Sequence, residues 1–164
     1  MGQAAFAWDA LAWWSAVYSD HQAVSVAVRF LHLAGLVVGG GTALVADRHL
    51  LATVSGDTLA RSAALTMAGA SHRIVVPALA LMALTGLLMA TADLETFLSS
   101  RLFWIKMSIV ALLLLNGAVL VFTERAAARS AGDRDWARLR AVSAASVVLW
   151  LSALLAGTWL TVGA

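Results

Sequence analysis

An all-α integral membrane bundle of four helices is the fold this sequence predicts, and three observations predict it. Of the 164 residues, 62% are hydrophobic and 12% charged, and the mean hydropathy is +0.87. A soluble domain carries about 25% charged residues, so this apolar surplus calls for lipid around it. Four apolar runs are each long enough for a helix to cross ~30 Å of hydrocarbon. They are rich in Ala, Leu and Val, the chain holds a single Pro, and the alternating pattern of ~10-residue barrel strands is missing. One transmembrane domain, residues 1–164, accounts for the length.

Each element follows in order. Residues of about 4–19 carry Trp8, Trp13, Trp14 and Tyr18, rings that favour the membrane–water boundary, and predict an amphipathic helix lying in the headgroup plane. The first span covers about residues 23–46 and ends at Asp47-Arg48-His49. A mixed segment then runs to His72-Arg73, where Leu59, Ala63, Leu65 and Met67 among Ser, Thr and Arg61 predict a short interfacial helix. The second span is about 74–92, with Pro77 in its first turn, where a missing N–H costs little. A polar loop with Asp93, Glu95, Ser99, Ser100 and Arg101 leads to the third span, about 102–122. The longest charged stretch, Glu124 to Arg140, precedes the fourth span, about 141–162.

Arginines set the orientation. Arg48, Arg61 and Arg73 lie in the first loop and Arg125, Arg129, Arg134, Arg138 and Arg140 in the third, against Arg101 alone in the second. The positive-inside rule then gives an N-out/C-out, multi-pass protein of a bacterial inner membrane. A net charge of +2, with its basic residues at helix ends, reads as topology and not as nucleic-acid binding. Without cysteine there is no disulfide, thiolate metal site or haem-c attachment. No basic segment precedes the first apolar residues, so no cleavable signal peptide is expected.

The first span contains the candidate site, Arg29-Phe30-Leu31-His32-Leu33-Ala34-Gly35, continuing to Gly39-Gly40-Gly41. On a helix Ser25, His32, Gly39 and Ala43 share a stripe, with Gly35 at its edge and Arg29 beside it. An ionisable group at membrane depth is costly, which makes it a functional candidate. At ~1.5 Å per residue, His32 lies roughly 14 Å, Arg29 roughly 9 Å and Lys106 roughly 6 Å below the outer boundary. Met82, Thr85, Met89, Met107 and Asn116 lie at compatible depths, and Asp20, His21, Asp93 and Glu95 form the rim.

Imidazole suits iron, so the first chemistry is a b-type haem bound by His32, with Gly35 and Gly39 as its notch and Lys106 and Arg29 near its ligands or propionates. His72 is about 20 Å from His32 along the membrane normal, too far to share one iron. That leaves a five-coordinate iron, a Met or Lys second ligand, or a histidine from a partner chain. The second chemistry is copper, for which His32 with the thioethers of Met82, Met89 and Met107 suits Cu(I). The third reading is a non-catalytic membrane anchor or accessory subunit. Its partner surfaces are the Trp-rich N-terminal segment or, for a homo-oligomer, the Gly35/Gly39 face. His49 and His72, beside arginines, are expected to be solvated. No HExxH, Ser–His–Asp set, phosphate loop or paired catalytic carboxylate is visible, so hydrolysis has no support.

Further motifs carry a resemblance. Arg73-Ile-Val-Val-Pro77 with Thr85-Gly86, then Phe103-Trp104-Ile105-Lys106-Met107 leading to Leu114-Leu115-Asn116-Gly117, resembles the superfamily of the copper-resistance protein CopD and HemJ-type protoporphyrinogen oxidases. His32 before Gly39-Gly40-Gly41 and Asp47-Arg48, and Leu149-Trp150-Leu151 with Ala156-Gly157, look closest to its CopD-like branch. The resemblance spans roughly residues 25–160. It implies haem b held with a first-helix His and a third-helix Lys, here His32 and Lys106, or copper passage across the inner membrane. Asn116 stands where HemJ-like proteins have a histidine, and Thr158 where the CopD-like branch has an arginine. The first departure weighs against porphyrinogen oxidation as the activity.

Overall fold

The computed structural model describes residues 2–53, 57–130 and 132–162. In chain order its elements are α1 (Gly2–Asp20), α2 (Gln22–Gly35), a π-helical turn (Leu36–Gly40), α3 (Gly41–Ala52), α4 (Thr58–Ala92), α5 (Leu94–Ser99), α6 (Arg101–Ser130) and α7 (Asp133–Val162). No strand occurs among the described residues. Four helices are long and apolar enough to cross a membrane: Gln22–Ala52, Thr58–Ala92, Arg101–Ser130 and Asp133–Leu160. The first of them is α2, the π turn and α3 run together without a break.

The helices outrun the apolar stretches at one end of the bundle. The segment expected to form a separate interfacial helix is instead the beginning of α4, capped by Asp57, whose carboxylate accepts from Ala60 N at 2.9 Å. Pro77 therefore lies inside α4 and not in a first turn. Helix continues past it because the residues before it are held by packing: Arg61, Ala64 and Ala68 are all buried. Likewise the charged stretch from Glu124 to Arg140 is two helical extensions, of α6 and α7, joined by a tight turn.

These extensions enclose the only hydrophobic core cluster among the described residues: Leu50, Ala64, Ala68, Ala127, Trp136 and Leu139. Arg61 closes it, pairing with Asp133 at 2.6 Å while its guanidinium lies 5.1 Å from the centre of the Trp136 ring. The physical reason is solvent. Water drives apolar burial, whereas within lipid an exposed leucine costs nothing. Accordingly the most apolar window of α6 is only 6% buried.

At the other end α1 rests on the C-terminal turn of α4. Trp14 Nε1 donates to Leu88 O at 2.8 Å, and Ser15 Oγ to Ala92 O at 2.6 Å. Both bonds serve carbonyls near a helix end, where intrahelical partners run out. Trp8 and Trp13 face outward on α1, and Trp104 and Trp159 are exposed at the same end on α6 and α7. Arg48, Arg73 and Arg125 are exposed at the opposite end.

The middle of the bundle is set by glycine. A Cβ at Gly35 would stand 2.8 Å from Met82 Cγ, and one at Gly39 only 2.7 Å from Ala78 Cβ. This corrects the expected homo-oligomer through the Gly35/Gly39 face: α4 of the same chain already fills it, and no second copy fits there. The π turn adds a residue to the helical repeat, so that Gly40, the very next residue, meets α7 instead, with Trp150 Cε3 3.1 Å from its would-be Cβ.

Because the tightest apolar packing is at the arginine end, Leu139→Ala is expected to lower unfolding stability by about 2–5 kcal/mol. Leu115→Ala, on the exposed surface of α6, should leave it nearly unchanged. Unfolding in mixed micelles followed by circular dichroism checks this. Equal losses for the two variants would contradict the placement of the core.

Candidate functional site

Polar side chains gather at two levels of the bundle. Toward the α1 end, His32 on α2 meets α4: its Nδ1 is 3.0 Å from Thr85 Oγ1. Thr85 has one hydroxyl proton, and it goes to Leu81 O at 2.7 Å. The hydroxyl oxygen therefore accepts from His32, whose Nδ1 carries the hydrogen. His32 Nε2 is left with a free lone pair, the state in which imidazole binds a metal. The ring fits because residue 86 is glycine; a Cβ there would come within 3.3 Å of His32 Cε1. Lys106 reaches in from α6 and acts electrostatically on His32. Its ammonium rests against Gly157 of α7, 3.7 Å from where a Cβ would be. Thus α2 and α4 bring His32 to Thr85, α6 sends Lys106 toward them, and Gly86 and Gly157 make the room.

The other expected residues are placed differently. Arg29 is exposed and turned to α1, its Nε donating to Tyr18 OH at 3.2 Å with the guanidinium 6.0 Å from that ring's centre. Gly35 and Gly39 are helix-packing positions against α4. Met82 packs beside Gly35, Met89 is half-buried, and Met107 is 42% exposed on the surface of α6. Asn116 is half-buried and donates to Val142 O at 3.3 Å.

The second level was not foreseen. Toward the arginine end, Asp47 on α3 and Glu124 on α6 are buried, 2% and 8% exposed. Glu124 Oε2 is 2.9 Å from His72 Nε2 of α4, which corrects the expectation of a solvated His72. Asp47 faces the hydroxyls of Ser146 and Ser143 on α7 and is near enough to Glu124 and His72 to feel their charges. Even so, Asp47 Oδ2, Glu124 Oε1 and Ser143 Oγ lack a hydrogen-bond partner of good geometry. Asp47, Glu124, His72 and Ser146 line a cavity of about 380 Å³ bounded by α3, α4, α6 and α7. A pair of buried carboxyl groups therefore exists where the sequence showed none.

A signal for it was present. Asp47-Arg48, His72-Arg73 and Glu124-Arg125 each join an inward polar residue to an exposed arginine. Successive helix residues point ~100° apart, so an arginine turned to the headgroups swings its predecessor toward the axis.

Four helices long and apolar enough to cross a membrane, surrounding polar groups at two depths, define an all-α bundle compatible with a multi-pass membrane protein. The chain belongs to DUF6644, a family of unknown function, whose model matches residues 6–163. No curated protein and no solved structure matches it.

Because His72 and Glu124 form a pair, their substitutions should not add. In a double-mutant cycle of His72→Ala and Glu124→Ala, the coupling energy is expected to fall within about 0.5–3 kcal/mol. Strictly additive losses would mean that the two side chains do not meet.

Proposed function

We propose that the protein is a redox protein of the bacterial inner membrane, N-out/C-out, that binds a b-type haem in the outer half of its bundle. The placement in the membrane draws on two boundaries. Trp8, Trp13, Trp104 and Trp159 are exposed at one end and Arg48, Arg73 and Arg125 at the other, the pattern of an aromatic belt outside and positive charge inside. The cofactor reading is carried by one observation: the Thr85 hydroxyl fixes the His32 ring with Nδ1 protonated and Nε2 free. A second partner that orients a ligating imidazole is what metal sites require.

Each residue has a part in this reading. His32 Nε2 would hold the iron, and Thr85 would fix the ring's rotation and tautomer. Lys106 would supply positive charge nearby, as a second ligand or a propionate partner. Arg29, with Tyr18 at the outer rim, is suited to a propionate at the surface. Haem b would supply one-electron transfer. The copper reading is weaker, since Met107 is turned to the surface of the bundle.

Purified protein is expected to show a Soret band with about one haem per chain, shifting on reduction. His32→Ala should lose it while keeping its helical circular dichroism, and Thr85→Val should weaken haem retention by about 10- to 100-fold. Protein without a Soret band, or a His32→Ala spectrum like the wild type's, defeats the proposal; a stable complex without cofactor would then favour an anchor subunit.

Orientation is tested separately, helped by the absence of native cysteine. Ser99→Cys in intact cells should react with a membrane-impermeant maleimide, and Ser62→Cys only after permeabilisation. The reverse pattern would turn the protein over.

A further inference from the structure

The cavity between α3, α4, α6 and α7 has walls of one kind and a floor of another. Val75, Leu79, Leu113 and Val121 are among its apolar lining, while Asp47, Glu124 and His72 occupy the end nearest the arginines. Helices α4 and α6 barely touch one another, so the gap between them opens sideways toward the surrounding lipid. Whatever enters must have an apolar body and a polar head.

The nature of the head follows from the atoms it meets. Asp47 and Glu124 are both more than nine-tenths buried, and each turns an unpartnered oxygen to this level. Buried polar atoms are rarely left without a partner, and two acceptors call for donors. An anion is excluded by two carboxyl groups. A water or alcohol brings acceptor sites of its own, which need donors here, yet His72 Nε2 is engaged with Glu124, the Ser146 hydroxyl faces Asp47, and the unpartnered Ser143 lies outside the lining. An ammonium has three donors and no acceptor. Composition agrees: two carboxyl groups share this end of the cavity with a single imidazole, and Arg48, Arg73 and Arg125 are exposed on the outside of the bundle. Trp150, in the cavity wall, adds an indole, the ring best suited to a cation.

We propose that this cavity binds a lipophilic primary amine, its chain lying between α4 and α6 and its ammonium held by Asp47 and Glu124. The site is distinct from the one around His32 and does not depend on the haem reading. The same chemistry is offered by a free alkylamine and by an amine-bearing phospholipid, both reaching the cleft through the bilayer.

Native mass spectrometry of the full chain in a neutral detergent, with octylamine as the probe, tests this. One saturable equivalent of octylamine is expected, with octanol and octanoate binding about tenfold more weakly or not at all. Asp47→Asn and Glu124→Gln keep shape and remove charge; each should weaken octylamine about tenfold or more, with melting temperature confirming that the variants fold. Phosphatidylethanolamine that displaces octylamine identifies the lipid as the source of the amine, and failure to displace it identifies a free amine; either supports the site. Octanol binding as tightly as octylamine, undiminished binding by the folded Asp47→Asn/Glu124→Gln double variant, or no saturable binding by the folded wild type overturns it.

Discussion

Close contact between the first span and α4 governs everything else in this bundle. Gly35 and Gly39 bring two backbones together at distances that a single methyl group would forbid. In lipid, where apolar surface gains nothing from leaving the solvent, such contact is the main source of helix association. Its effects reach both polar levels. Above it, α2 lies near enough to α4 for His32 to bond Thr85 and settle against Gly86. Below it, the π turn redirects the helix onto Trp150, and α3 carries Asp47 to α7 and its serines. Extra turns of this kind inside α-helices often mark functional sites, and here one turn separates two levels of polar groups on a single span.

The two ends of the molecule answer to different solvents. At the arginine end the helices pack as they do in a soluble protein, around Leu50, Trp136 and Leu139, with an ion pair and an aromatic lid over the charge. Across the lipid-facing middle, leucines and valines point outward, and specificity falls to small residues and a few hydrogen bonds. The polar groups gain influence from this division. A carboxyl or imidazole held where water is scarce acts on its neighbours through a weaker dielectric, so each one shapes what the bundle will accept.

Much of this was legible in the sequence. Composition alone dictates helices in lipid, and the four apolar runs fall within the four long helices. His32 and Lys106 stood out because charge at that depth has few innocent explanations, and Lys106 lies near enough to act on His32 electrostatically. Helix ends were less legible. Hydropathy reports where lipid ends and is silent on where helix ends, so the residues before Arg73 read as a separate interfacial helix and Glu124–Arg140 as a charged stretch, although they begin α4, extend α6 and begin α7. Asp47 and Glu124 were passed over for a related reason. Beside Arg48 and Arg125 they look like boundary residues, and only the azimuth of each helix shows that the arginine is outside and the acid within. Gly35 and Gly39 pointed to a close approach, but which helix would approach is a tertiary fact.

The three exposed arginines that follow Asp47, His72 and Glu124 belong to three different helices yet share one height. Three guanidinium groups at one level make a positively charged collar around the end of the bundle that holds the buried acids. The far side is built differently: there α1 is tied by Trp14 and Ser15 to the tip of α4. One end of the bundle thus gathers its charge around an enclosed cavity, while the other hangs a tryptophan-bearing helix on two hydrogen bonds.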